Sequence, residues 1–162
     1  MKRSKVSAGL LMFRRRDNEL HVLLVHPGGP FFRNKDDGSW TIPKGEAAKG
    51  EDLLERAKIE FEEELGISVA RTGPWLELGS VQQKGGKIVH GWAFESDLPE
   101  ALALVSNTFE LEWPPRSGDL QRFAEIDRAE FFSVENAKVK INVAQIAFLD
   151  RLAIALDSAK GV

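Results

Sequence analysis

One segment, residues 45–67 (GEAAKGEDLLERAKIEFEEELGI), constrains the fold of this chain more than any other. It predicts a helix from Glu51 to Leu65, because that stretch lacks proline and glycine and consists largely of good helix formers. Gly66 follows at the position where a glycine commonly ends a helix. One stripe of the helix is apolar and predicts a core-facing side, formed by Leu54, Ala57, Phe61 and Leu65.

A second face of the same helix carries three carboxylates, Glu60, Glu63 and Glu64, at spacings i, i+3 and i+4. Like charges at these spacings destabilise a helix by a few tenths of a kcal/mol per pair, and the helix dipole favours cations at this end. Three convergent carboxylates are suitable oxygen ligands for a hard divalent cation such as Mg²⁺ or Mn²⁺. On spacing alone, a solvated acidic face is the alternative interpretation.

The spacing around the helix resembles the Nudix box, G-x5-E-x7-R-E-U-x-E-E-x-G-U, in which U is a bulky apolar residue. Eight of the nine specified positions match in register: Gly45, Glu51, Glu60, Phe61, Glu63, Glu64, Gly66 and Ile67. The ninth position, an arginine in the motif, is Ile59 here. The preceding segment WTIPKGE, residues 40–46, is also similar to the strand and loop that precede the motif in that family.

The resemblance implies an α/β fold, an α/β/α sandwich on a mixed β-sheet, and metal-dependent cleavage of a pyrophosphate linkage in a nucleotide. It implies Mg²⁺ or Mn²⁺ as the cofactor, Glu63 and Glu64 as metal ligands, and Glu60 as a ligand or general base. Glu60 and Glu64 are therefore the candidate catalytic residues. A backbone carbonyl near Gly45 would supply a further oxygen. One more carboxylate is expected from a distant loop, with Glu125 as the candidate and Glu110 and Glu112 as alternatives; each of the three has a surface glutamate as its other interpretation.

Four residues are candidates for contact with the substrate: Lys44, Arg33, Trp40 and Trp113. Lys44 would meet a phosphate unless it is solvated, and Trp40 would stack on a base unless it belongs to the core. Trp113 lies in Leu98–Ser117, which reads as a long irregular stretch that forms either a lid over the substrate or a packing feature.

The rest of the chain predicts alternating strands and helices, although this pattern alone does not select the sandwich over other α/β layouts. Asp17 and Asn18 predict a turn between the first two strands, and Gly85-Gly86 predicts a two-residue hairpin turn. The predicted elements are strands at Val6–Phe13, Leu20–His26, Trp40–Ile42, Trp75–Gln83 and Lys87–Glu95, a loop at Pro27–Gly38, and a helix at Asn142–Ala159.

Composition and charge limit the remaining possibilities. The 162 residues predict a single domain, 1–162, and the absence of cysteine excludes disulfides and thiolate metal sites. No secretory signal or membrane-spanning run stands out, so the cytoplasm is the expected location. Residues 1–44 contain nine Lys/Arg and four Asp/Glu, a net +5, whereas residues 45–67 contain three and eight, a net −5. This distribution suits a small nucleotide held through a metal, and no basic stripe indicates duplex nucleic acid. The oligomeric state is left open.

The sequence leaves both the substrate and catalytic competence open. It has no tyrosine, which many diadenosine polyphosphate hydrolases place downstream of the box, and Pro74 lies too close to the box for an ADP-ribose hydrolase. The WTIPKGE segment favours nucleoside or dinucleoside polyphosphates. Because Ile59 replaces the motif arginine, the alternative is a degenerate, non-catalytic nucleotide sensor or interaction module. Arg56, at i, i+4 from Glu60, either takes over from the missing arginine or is an ordinary solvated arginine.

Overall fold

The computed structural model describes residues 5–69, 73–98 and 107–160. The strands are β1 (Val6–Arg16), β2 (Glu19–Pro27), β3 (Lys44–Glu46), β4 (Leu76–Gln82), β5 (Ile88–Glu95), β6 (Thr108–Glu112), β7 (Leu120–Ala124) and β8 (Ile126–Ser133). The α-helices are α1 (Leu53–Leu65), α2 (Val134–Lys140) and α3 (Ile146–Lys160).

The main sheet is mixed and is organised around β1. Its strand order is β4-β5-β1-β2-β8, and β3 pairs with the first half of β1. Strands β1 and β5 are parallel, while the other pairs of this sheet are antiparallel. Strands β6 and β7 form a separate two-stranded antiparallel hairpin.

Alternate residues of β1 enter two different cores, as expected for a strand with both faces covered. Leu10 and Met12 pack in a cluster with Phe61 of α1. Leu11 and Phe13 pack in a second cluster with residues of α2 and α3. The sheet therefore lies between helices on both faces, which confirms the α/β/α sandwich. No helix in the described ranges is long and apolar enough to cross a membrane.

The two predicted helices are present with shifted starts. Helix α1 begins at Leu53 instead of Glu51, because Asp52 is its N-cap and accepts the backbone N–H of Glu55 at 3.0 Å. Gly66 ends it as predicted, with φ 71°. The predicted helix Asn142–Ala159 is a short 3₁₀ turn, Val143–Gln145, followed by α3.

Several strand predictions need correction. The turn at Asp17 and Asn18 is confirmed, with φ values of 53° and 62°. The strand predicted at Trp40–Ile42 is not formed, because these residues make only isolated bridges, and the nearest strand is β3 at Lys44–Glu46. The hairpin between β4 and β5 is present, yet Gln82 pairs with Ile88, so its connection is longer than two residues.

The prediction that Leu98–Ser117 is irregular is wrong for residues 108–112 and is confirmed for the other described residues of that stretch, 98, 107 and 113–117. Residues 108–112 (TFELE) form β6, whose two apolar residues alternate with polar ones at the period of a strand. Residues 99–106 of that stretch lie outside the described residues. Strands β7 and β8 and helix α2 were not predicted as elements.

Candidate functional site

Glu64 is a buried carboxylate in the last turn of α1, and 8% of the residue is exposed. The pKa of Glu64 is raised to about 8, mainly by burial and additionally by the carboxylates of Glu60 and Glu125, whereas Lys44 opposes the rise. The backbone N–H of Lys44 donates to Glu64, yet Oε2 of Glu64 is buried with no hydrogen-bond partner in the described part of the protein. An unpaired buried carboxylate oxygen is costly, so a ligand that binds oxygen would be favoured here.

Glu60 lies one turn before Glu64, and 17% of its side chain is exposed. Burial raises its pKa, the nearby Glu63 adds to the rise, and Arg56 opposes it. A Cβ atom at Gly45 would overlap the Glu60 carboxyl group. Gly45 is not one of the glycines with a left-handed φ in the described ranges. Glycine is therefore needed at this position for space and not for backbone conformation.

Glu125 joins this region from the junction of β7 and β8. Its charge raises the pKa values of both Glu60 and Glu64, which places the predicted distant carboxylate beside the helix face. Its backbone links two other segments: its N–H donates to the carbonyl of Asn107 at 2.8 Å, and its carbonyl accepts the N–H of Gly28 at 2.8 Å.

The other acidic candidates differ in position. Glu110 is exposed on the β6–β7 hairpin and pairs with Arg122 at 3.4 Å. Glu112 is exposed at the end of β6. Glu63 is exposed on α1, where its Oε2 accepts the side-chain amide of Asn107 at 3.4 Å. Glu125 is therefore the distant candidate that the structure brings next to the carboxylates of α1.

Arg56 links Glu51 to Glu60. Its Nε donates to both carboxylate oxygens of Glu51 at 3.0 Å, and Nη2 donates to Oε2 at 2.6 Å. Its Nη1 donates to Oε1 of Glu60 at 3.3 Å. Glu51 in turn accepts the backbone N–H of Ala48 at 3.0 Å, which ties the loop before α1 to the same arginine. Ile59, at the motif arginine position, is 39% exposed. Its side chain has no hydrogen-bond donor, so it cannot link two carboxylates as Arg56 does.

Lys44 lies at the start of β3, close to the acidic residues. Burial lowers its pKa, whereas the carboxylates of Glu64, Glu46 and Glu60 counteract this effect and Lys87 adds to it. Its ammonium group is thus a partly buried cation beside Glu64, which agrees in position with the predicted phosphate contact.

The three other candidates for substrate contact differ in their exposure and surroundings. Trp40 is 1% exposed and packs edge-on against His26 and Phe132, so it offers no free face to a base, and the core interpretation applies. Arg33 is exposed in the loop after β2. Trp113, at the end of the β6–β7 hairpin, contacts Phe31 of that same loop with ring centroids 5.5 Å apart.

The donor set suits a hard divalent cation, since it consists of carboxylates, and Oε2 of Glu64 is buried without a hydrogen-bond partner in the described part of the protein. Among the described residues, however, no group of three histidine or acidic side chains is arranged as a ready-made metal site. Burial is the main cause of the raised pKa values of Glu60 and Glu64, and repulsion from neighbouring carboxylates adds to it, so a bound cation would favour their ionised forms.

A cavity of about 730 Å³ lies beside the loop before α1, with Lys5, Lys49 and His90 in its lining. It includes Glu51 but neither Glu60 nor Glu64.

One buried residue near the site was not anticipated. His26 is fully buried, and its Nδ1 lies 2.8 Å from Oδ1 of Asp127 while its Nε2 lies 2.7 Å from the carbonyl oxygen of Lys35. The ring thereby connects β8, just after Glu125, to the end of the loop after β2. The sequence carried no signal for this contact, because it depends on the pairing of β2 with β8.

Comparisons with known proteins agree with this architecture. The family model described as NUDIX domain matches residues 3–152. A Caenorhabditis elegans Ap4A hydrolase in a binary complex is 21% identical with a TM-score of 0.65, over 94% of this chain and 98% of that chain. The NUDIX domain of Shewanella oneidensis NrtR, complexed with ADP ribose, is 14% identical with a TM-score of 0.64, over 96% and 90%. A mutT/nudix family protein from Listeria innocua is 16% identical with a TM-score of 0.62, over 98% of both chains. At such identities the structures show a shared fold alone. No curated protein sequence matches the chain.

Proposed function

We propose, since the chain belongs to the NUDIX domain family, that it is a divalent-metal-dependent hydrolase that cleaves a pyrophosphate linkage in a nucleotide. The observation that carries this proposal is the buried Glu64, whose Oε2 has no partner in the described part of the chain, beside Glu60 and Glu125. A protein that needed α1 only for packing would gain stability by replacing this carboxylate.

The residues that would hold Mg²⁺ or Mn²⁺ are Glu60, Glu63, Glu64 and Glu125 with the carbonyl of Gly45. When bound, the metal neutralises phosphate oxygens and activates water. Arg56 holds Glu60 in position through Nη1, and Gly45 leaves the space that the Glu60 carboxyl group occupies. Lys44 places a cation next to Glu64, where it can contact a phosphate of the substrate.

The substrate class we propose is nucleoside di-, tri- or polyphosphates or dinucleoside polyphosphates. Two structural relatives support a nucleotide ligand, since one is an Ap4A hydrolase and another is complexed with ADP ribose. The basic first part of the chain, a net +5 over residues 1–44, supports an anionic ligand.

The proposal is tested by chromatographic detection of the nucleotide products formed from a panel of nucleoside and dinucleoside polyphosphates and nucleotide sugars, because cleavage of a pyrophosphate linkage need not release inorganic phosphate. Each substrate is measured with MgCl₂, with MnCl₂ and with excess EDTA. We expect hydrolysis of at least one substrate with either metal and none with EDTA.

A non-catalytic nucleotide sensor is the second candidate. Ile59 at the motif arginine position favours it. A thermal-shift measurement on the same panel separates the two functions. Ligands that raise Tm but are never hydrolysed would favour the sensor, whereas turnover favours the enzyme.

A further inference from the structure

Two aromatic rings, Phe31 and Trp113, meet where the loop after β2 touches the tip of the β6–β7 hairpin. Their centroids are 5.5 Å apart at an interplanar angle of 78°. Phe31 remains 58% exposed. A ring whose purpose was to pack the hairpin onto the loop would be buried, and large aromatic side chains are costly to leave in water.

Each of the two segments is hydrogen-bonded at its first residues to the backbone of Glu125. The carbonyl of Glu125 accepts the N–H of Gly28, where the loop leaves β2, and its N–H donates to Asn107, where the hairpin begins. Three residues separate Gly28 from Phe31, so the two Cα atoms are at most about 11 Å apart. The ring pair, in which Phe31 is exposed and Trp113 is half-buried, therefore lies within reach of the carboxylates of α1 and Glu125 for a single extended small molecule.

The loop that carries Phe31 is fixed at its far end. His26 bonds the carbonyl of Lys35 at 2.7 Å, and Nζ of Lys140 bonds Oδ2 of Asp36 at 2.6 Å. Within the loop, the N–H of Lys35 donates to the carbonyl of Phe32 at 3.0 Å.

The hairpin tip that carries Trp113 is also fixed. The N–H of Trp113 donates to the carbonyl of Asp119 at 2.9 Å, and its carbonyl accepts Nε2 of Gln121 at 2.8 Å. Rings held on fixed backbones form a preorganised surface, which reduces the entropy cost of binding.

The charge around the pair identifies the chemistry of its ligand. Arg33 follows Phe31 by two residues and Arg116 follows Trp113 by three, and both are exposed. Flat rings accompanied by cations suit a ligand that joins an aromatic group to negative charge.

We propose that Phe31 and Trp113 bind the nucleobase of the substrate whose phosphates reach the carboxylates of α1. This inference rests on the proposed function and specifies how its substrate is recognised. Because stacking uses the face of a base, the platform selects nucleotides over base-free phosphates more strongly than it selects one base over another.

The test compares two non-hydrolysable ligands by calorimetry in MgCl₂: α,β-methylene-ADP and its base-free counterpart, methylenediphosphonate. The variants are Phe31→Leu, Trp113→Leu and the double variant. Each single variant should bind α,β-methylene-ADP roughly tenfold more weakly, the effect expected for one lost stacking contact. Binding of methylenediphosphonate should not change, and the double variant should lose little more than either single variant, since both rings serve one base.

Leu120→Ala is the matched control. Leu120 is 69% exposed on the same hairpin and pairs with Glu112, so by strand alternation its side chain lies on the face opposite Trp113. This variant should keep both affinities. Trp113→Phe provides a second measurement, because it keeps an aromatic ring: it should retain most of the affinity and lose the part of the ligand-induced fluorescence change that comes from Trp113.

Three results would overturn the inference: a wild-type protein that binds both ligands equally, variants that keep the wild-type preference, or variants that lose affinity for both ligands to the same extent. If the wild-type protein hydrolyses no nucleotide but shows the ring-dependent preference, the proposed function fails and the base platform stands. If hydrolysis is observed and the rings have no effect, the platform alone is wrong.

Discussion

Replacing Arg56 by alanine tests how the chain manages without the arginine of the Nudix motif. Arg56 is 25% exposed and makes its strongest contacts to Glu51, with one longer bond of 3.3 Å to Glu60. The substitution removes all of these bonds at once and leaves Glu60 oriented only by its packing.

The magnitude follows from the bond to Glu60. A hydrogen bond to a charged group contributes about 1.5–3 kcal/mol, and the length of this one places it near the lower limit. If that bond is needed to hold Glu60 in the transition state, kcat should fall roughly tenfold to a hundredfold. The free energy of unfolding should fall by about 1–3 kcal/mol, mainly because Glu51 loses its partner.

The assay is kcat and KM of Arg56→Ala on the best substrate of the panel, with the free energy of unfolding from urea denaturation. Arg56→Lys should recover less than half of the loss in activation free energy, since an ammonium group cannot fork between two carboxylates. Ile59→Arg in the Arg56→Ala background should restore part of kcat, because position 59 is exposed enough to accept the longer side chain.

Lys58→Ala is the matched control for this series. Lys58 lies on the same helix and pairs with Glu55 at 2.9 Å, so its loss removes a helical ion pair without touching Glu60. It should keep kcat. The reasoning is refuted if Arg56→Ala retains the wild-type kcat, or if Lys58→Ala reduces kcat as much as Arg56→Ala does.

Two further predictions concern steric fit and acid stability. Gly45→Ala should lower kcat at least tenfold while Tm stays nearly unchanged, because the new Cβ displaces the flexible Glu60 carboxyl group and little else; equal kcat in the two proteins would contradict this. Asp36→Asn should lower Tm at pH 7, because hydrogen bonds from Lys140 and Trp40 hold the pKa of Asp36 below its ordinary value of 3.8. A carboxylate whose pKa is lower in the folded protein than in the unfolded chain stabilises the fold at pH values above its unfolded pKa. This stabilisation is lost as pH falls through the folded pKa, so the Tm difference should shrink below about pH 4; a constant difference would contradict it.

The carboxylate face could be predicted from the sequence because it depends on local geometry. Glu60 and Glu64 are one turn apart on a helix, and the apolar stripe through Phe61 fixes which side faces the core. The contact of Arg56 with Glu60 followed from the same periodicity. Its stronger contact with Glu51 did not, because that depends on how residues 47–52 fold back onto the helix.

The surroundings of the helix depend on contacts between distant parts of the chain. Trp113 was predicted as a substrate contact, but its partner Phe31 is 82 positions away and reaches it only through the register of β6 with β7 and the anchoring of both segments at Glu125. The two prolines at 114 and 115 also concealed β6, since proline normally interrupts a sheet. The local sequence therefore predicted the carboxylate face of α1, whereas strand pairing determined what surrounds it.

The turnover rate of Glu64→Gln with Mg²⁺ or Mn²⁺ tests the central claim most directly. The substitution preserves the shape of the side chain and removes the charge that a metal ligand needs, while burial of a neutral amide should cost the fold little. The account predicts a loss of several orders of magnitude in kcat with a Tm equal to or above that of the wild type. Near-normal metal-dependent turnover in this variant would contradict it.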